Sequence, residues 1–159
     1  MFVQAKVTIS SPFEKDIILK LFSDQKFFFA NFTPFTIINE ESENVFYVYG
    51  EFYSLFSAFD VEARVRKYIS SYVITYILIV QPGLIQGSYD NLIDRSFKGV
   101  SPKGNGKIVI SMSQGSIEIT IDYEGDKEKA IVNFIVKRMN KQIKNFDKII
   151  QLERIKRHI

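Results

Sequence analysis

The side chains best suited to holding a small molecule are tyrosines. Tyr47 and Tyr49 stand two apart in one segment, and Tyr72 and Tyr76 four apart in another; both spacings put a pair on a single face of a strand. A tyrosine joins apolar bulk to a hydroxyl that can fix a polar head group in an apolar cavity, although it is also simply a good strand residue. Gln142 falls within an apolar helical face beside Met139 and Phe146. A buried amide needs partners, and a ligand head group is one; a backbone carbonyl, a water or exposure at the edge carries more weight. Arg138 borders the same face and can grip a carboxylate bidentately, with a solvent-exposed ion pair as the plainer reading.

Other chemistries are excluded by what is missing. The chain has no Cys and a single His, His158, so it has no thiolate nucleophile, disulfide framework or multi-histidine metal cluster. Gly99 to Lys107 superficially suggests a phosphate loop. That loop needs Lys and then Ser or Thr after its second Gly, whereas Asn105 follows Gly104 and a strand comes next. The acid pairs Glu40 with Glu41 and Asp122 with Glu124 fall at turn and outer-face positions and read as solvated carboxylates rather than an acid–base couple.

The elements that position these residues follow from hydrophobic period. A strand is expected over Phe2 to Ile9, then a helix entered through Ser10-Ser11-Pro12 with Phe13, Ile17, Ile18, Leu21 and Phe22 at helical spacing. A second short helix from Ser23 or Asp24 carries Phe27, Phe28, Phe29 and Phe32 and stops at Pro34. Three consecutive aromatics cannot all face one core. Strands then follow over Phe35 to Glu41, Val45 to Tyr53, Phe59 to Tyr68 and Tyr72 to Val80. The third alternates Phe59, Val61, Ala63 and Val65 with Asp60, Glu62, Arg64 and Arg66, the pattern of a sheet with one wet face. The fourth is apolar on both faces, as for a strand covered on both sides or lining a cavity. Leu84 to Asn105 reads as a long loop or lid with a short element around Tyr89 to Phe97. Lys107 to Met112 and Ile117 to Tyr123 form a hairpin, and one helix from about Asp126 to Arg157 closes the chain with Ile131, Val132, Ile135, Met139, Ile143, Phe146 and Ile150 on its apolar face. Nothing divides the 159 residues, so residues 1–159 read as one domain.

Composition agrees with a sheet-rich fold: 23 Ile and 12 Val stand against 7 Leu and 5 Ala, with 15 Phe and 8 Tyr. The start lacks the basic head and long apolar run of a secretory signal, and Tyr72 to Val80 is far short of the roughly 20 residues of a spanning helix; a soluble cytoplasmic protein without stable membrane insertion is expected. Net charge is +3, but the stretch from Lys137 to Ile159 holds eight Lys or Arg and two acids, a net of +6. Its lysines fall opposite the apolar face and read as a solvated surface. No nucleic-acid module accompanies them.

The order strand, two short helices, an antiparallel run of about six strands and a long amphipathic final helix resembles the START-like superfamily, also called SRPBCC or birch-pollen-allergen-like. The Ile- and Lys-rich, Cys-free composition is also similar to such domains from thermoacidophilic archaea. The resemblance implies an α+β helix-grip fold, in which a curved seven-stranded antiparallel sheet wraps around the final helix and commonly encloses an apolar cavity. It implies non-catalytic binding or transport of a hydrophobic ligand, a fatty acid or other lipid, with no cofactor. Phe27 and Phe28 would border the cavity mouth, or pack under the final helix; the tyrosines, Arg138, Met139, Gln142 and Phe146 would contact the ligand. Two other readings come with the resemblance: a polyketide-cyclase-like enzyme and a protein-interaction module.

Overall fold

Alternation of Val3, Ala5, Val7 and Ile9 with polar residues sends one face of the first strand, β1 (Phe2–Ser10), inward and the other to solvent. The computed structural model describes residues 2–56, 58–85 and 101–159. After β1 come α1 (Lys15–Phe22) and α2 (Gln25–Phe32), then β2 (Ile37–Glu40), β3 (Val45–Tyr53), β4 (Ala58–Ser70), β5 (Val73–Val80), β6 (Gly104–Ser113) and β7 (Ser116–Gly125), and finally α3 (Glu128–Ile143) and α4 (Phe146–Arg157). The strands form one open sheet in the order β1-β7-β6-β5-β4-β3-β2. Every neighbouring pair is antiparallel. This is the expected α+β helix-grip architecture, with the helices in the concavity of the sheet.

The last helix departs from the expected single span. Its helical run ends at Ile143, and Asn145 leaves helical geometry (φ −115°, ψ 22°) before α4 begins. The break lets the Phe146 ring turn onto Phe13, Phe22 and Phe32 at centroid distances of 6.0, 6.3 and 6.4 Å, so that α4 packs on the α1–α2 layer while α3 stays against the sheet. A second departure concerns β5. Ile74, Tyr76, Leu78 and Val80 are buried, but Ile77 and Ile79 are 39% and 45% exposed on the convex side; one face is covered, not two. The polar strand period continues upstream of Lys107, and β6 starts at Gly104 inside the expected loop. The rest of that expected lid, residues 86–100, lies outside the described residues.

The α2 aromatics also differ from expectation, for Phe27, Phe28, Phe29 and Phe32 are all buried. The eight-residue helix is enclosed from several sides, so consecutive residues find separate partners. Asp24 caps it by accepting from the Lys26 and Phe27 amides. Phe28 stacks on Tyr76 at 5.6 Å, Phe29 meets Tyr76 at 5.0 Å and Phe46 at 5.2 Å, and the Arg157 guanidinium lies 5.8 Å over Phe27. Each buried aromatic contributes about 1.5–3 kcal/mol from removal of apolar surface, and well-oriented ring pairs add about 0.5–1.5 kcal/mol. The Tyr76 hydroxyl meets its hydrogen-bonding requirement by donating to the Phe22 carbonyl at 2.7 Å.

Below this cluster a buried polar chain ties the helices to the sheet. The Lys67 ammonium donates to the Ser23 carbonyl (2.7 Å) and to Gln25 Oε1 (2.6 Å), and Gln25 Nε2 donates to Glu40 Oε2 (2.6 Å) and the Glu43 carbonyl (3.0 Å). Burial lowers the Lys67 pKa from its ordinary value, opposed by the negative charges of Glu43, Asp24 and Glu40. Lys67→Ala strands both acceptors and is expected to cost about 2–4 kcal/mol in urea denaturation; a loss below about 1 kcal/mol would show that the chain is not a stabilising tie.

Alkaline behaviour follows from the buried phenols. Burial raises Tyr76 far above its ordinary value and Tyr123 to about 12, with Asp24 adding to the first and Asp126 and Glu128 to the second. Below about pH 10 both forms of the chain keep these protons; above it the unfolded chain ionises first, so stability falls as pH rises from about 10 through 12. Denaturation curves between those pH values should show a shallower decline for Tyr123→Phe than for the wild type, and parallel declines would refute the assignment.

Candidate functional site

Where β2 stops opposite Tyr49, the sheet margin at Glu51 to Tyr53 faces α3 across an open groove of about 920 Å³. Half-buried Phe134 and Pro34 give it an apolar floor with the fully buried Phe52 beneath, and Lys137, Arg138, Lys141 and Lys144 line the helix side. Local structure places these groups for separate reasons. Gly50 lets β3 approach the chain after α2: a Cβ there would lie 2.8 Å from the Pro34 carbonyl and 3.1 Å from the Phe35 Cα. This close approach sets Phe35 against Phe52 at 5.4 Å. The helix repeat brings Phe134, Lys137, Arg138 and Lys141 to one wall.

Phe52 separates the groove from the interior. Its ring touches Phe35, Phe59 (5.8 Å) and Phe134 (5.6 Å), and Phe59 also meets Phe134 at 6.0 Å. A void of about 10 Å³, separate from the groove, is walled by Phe35, Leu78, Val80, Ile121, Tyr123 and Ile135, a volume that holds about one water. The Tyr123 hydroxyl is buried against Gly104 without a hydrogen-bond partner among the described residues. Any side chain at Gly104 would collide with the Tyr123 ring. Apart from this void, Phe22, Phe28, Phe29, Phe32, Phe46 and Tyr76 fill the concavity of the sheet.

The structure does not bring the ten sequence-derived binding residues together. Arg138 lines the groove. Phe27, Phe28, Tyr76, Met139 and Phe146 are packed in the core. Tyr47 and Tyr49 face the convex side, opposite Arg64 and Glu62. There the Tyr47 hydroxyl donates to Glu41 Oε1 at 3.0 Å, and Tyr49 packs on Ile85. Tyr72 stands at the sheet end, donating to Asp16 Oδ1 at 2.6 Å beneath the Lys15 ammonium, 4.3 Å from its ring; Asp16 raises its pKa, first through that hydrogen bond. Gln142 is half-buried in the last turn of α3, where its backbone carbonyl accepts from the Asn145 amide. Phe52, Phe134 and Tyr123 were missed. Tyr123 could have been found by extending the alternation of Ile117, Ile119 and Ile121 by one step.

The buried carboxylates lie elsewhere. Asp60 and Glu62 are on the convex face, where Glu62 accepts from the Gly83 and Ile85 amides, each at 3.1 Å. Among the described residues no Asp or Glu is buried on the concave side, and no group of His, Cys, Asp and Glu is arranged to hold a metal. No helix of the described residues is long and apolar enough to cross a membrane.

Comparison with solved structures finds the same architecture. The hypothetical protein from Sulfolobus tokodaii superposes with a TM-score of 0.69 at 21% identity, covering 98% of this chain and 99% of its own. The STAR-related lipid transfer protein from Xanthomonas axonopodis gives 0.63 at 11% identity, over 90% of this chain and 85% of its own. The Zhui aromatase/cyclase from Streptomyces sp. R1128 gives 0.54 at 12% identity, over 93% and 94%. No curated protein matches in sequence. A protein-family model described as "-like" matches residues 1–159. With the sheet wrapped around its helices in the order these structures share, and with a family match running the length of the chain, the protein has the helix-grip fold of these proteins.

Proposed function

We propose that the protein binds and carries an amphipathic small molecule, a fatty acid or related lipid, at the groove between β3 and α3. The observation that carries this reading is the pairing of an aromatic floor, Phe134 with Phe52 beneath, with a cationic wall that includes Arg138. An apolar chain laid on the half-buried Phe134 gains about 0.8 kcal/mol per methylene removed from water. A carboxylate would be held by charge-assisted hydrogen bonds from Arg138, whose planar fork matches its geometry. A chain longer than the groove requires Phe52 and Phe134 to change rotamer and open the space now reduced to about 10 Å³. Tyr123 would then offer its hydroxyl to an oxygen function at the inner end.

Relatives of this fold give the reading its context: one is named for lipid transfer and another for aromatase/cyclase activity. Carriage is favoured over catalysis because the lining of the groove offers a single acid, Glu51, among four basic side chains, Lys137, Arg138, Lys141 and Lys144, and so no pair of acids to divide acid and base roles. Acid–base chemistry requires groups within hydrogen-bond reach of the substrate.

Displacement of a fluorescent fatty-acid analogue by palmitate tests the proposal. Saturable 1:1 displacement is expected, and its absence would overturn the reading. Arg138→Ala should weaken palmitate by about five- to twentyfold, the value of one charge-assisted contact, and leave hexadecanol unchanged. Phe134→Ala should weaken both, because it removes floor rather than charge. An equal effect of Arg138→Ala on acid and alcohol would place the head group elsewhere.

A further inference from the structure

The β3–β4 hairpin ends in an apolar tip. Leu55 is 93% exposed and Phe56 97%, and no residue from Phe52 to Phe59 carries a charge. This tip is not a loose strand end. The Phe56 amide donates to Ser54 Oγ at 3.4 Å, and below it Phe52 and Phe59 are clamped against each other and against Phe134. Two large apolar side chains therefore stand in water above an aromatic base, a disposition that burial energetics oppose unless something covers them.

The charges around the tip identify the covering surface. Tyr53, which leads into it, shares the groove with Lys137, Lys141 and Lys144 of α3. On the opposite flank the Lys127 ammonium lies 4.9 Å over the Phe59 ring. Basic side chains thus flank the base of the tip on both sides, and Glu51 is the one acid among the groove's lining residues. We infer that Leu55 and Phe56 dock this protein on an anionic lipid surface, with the side chains entering the head-group boundary while the lysines meet lipid phosphates. A protein partner fits less well, since a stable interface buries about 800 Å² on each side and the apolar surface here is two residues with lysines at their base. The association is peripheral and reversible, since one short hairpin and a handful of lysines give marginal, salt-sensitive binding. It does not rest on what the groove carries.

Flotation with vesicles tests it. The full chain should float with phosphatidylglycerol vesicles at low ionic strength and not with phosphatidylcholine vesicles, with binding falling about tenfold as salt screens the lysines. Leu55→Ser with Phe56→Ser should lower binding to phosphatidylglycerol about tenfold without shifting the melting temperature. Lys141→Glu with Lys144→Glu should produce a comparable loss through charge alone. Equal flotation with both lipids, no flotation of the wild type, or full retention by the tip variant would overturn the inference. So would a concentration-dependent dimer that the tip variant abolishes, since a second copy would then be the occupant. Palmitate displacement by the tip variant should match the wild type, so docking and cargo binding can fail separately.

Discussion

The burial of α2 in the concavity of the sheet is the constraint on which the rest of the structure depends. Phe28 and Phe29 meet Tyr76 from two directions, and Tyr76 answers by donating its hydroxyl to the end of α1. This arrangement binds the helical layer to the central strand β5 with ring contacts and one directional bond. Other features follow from it. Phe146 must turn inward to complete the cluster, which breaks the last helix at Asn145. Lys67 must reach the helix junction, which brings a charge into a buried position that its two hydrogen-bond acceptors, the Ser23 carbonyl and Gln25 Oε1, support.

Filling the concavity with aromatic side chains has a cost for binding. A close-packed interior has few voids, and the void beside Tyr123 is no larger than a water molecule. Space for a ligand is displaced outward, to the margin where β2 ends and α3 stands away from β3. Phe52 lies between the two regions, touching Phe35 within and Phe134 at the groove. Whether the groove communicates with the interior is therefore a question of side-chain rotamers at Phe52 and Phe134, groups that can move without disturbing the ladder of the sheet.

Much of the fold was legible along the chain. The period-two segments, the Pro12 and Pro34 boundaries and the helical spacing from Ile131 to Met139 were each local signals strong enough to name an element and its type. The site was far less legible. Arg138 lines the groove because the helical period sets it at the margin of the apolar face, although its plainer reading is a solvent-exposed ion pair, whereas Phe52 and Phe134 read as core aromatics. Tyr47 and Tyr49 were correctly paired on one face, but that face proved to be the convex one, against Ile85. Apolar character on both faces of β5 did not imply burial of both, since Ile77 and Ile79 remain half-exposed.

The sequence by itself determined which residues share a face, because side-chain direction repeats every two residues in a strand and about every 3.6 in a helix. It determined, too, the absence of thiolate and multi-histidine chemistry, which is a matter of inventory. The tertiary structure alone decided which face is concave, where the sheet margin opens and which side chains fill the space between. Those outcomes depend on pairing between strands far apart in the chain, such as β1 with β7, and on the volume left once aromatic rings from α2, β3, β5 and α4 have packed together. A periodic pattern specifies directions within an element; only the assembled elements give those directions an inside and an outside.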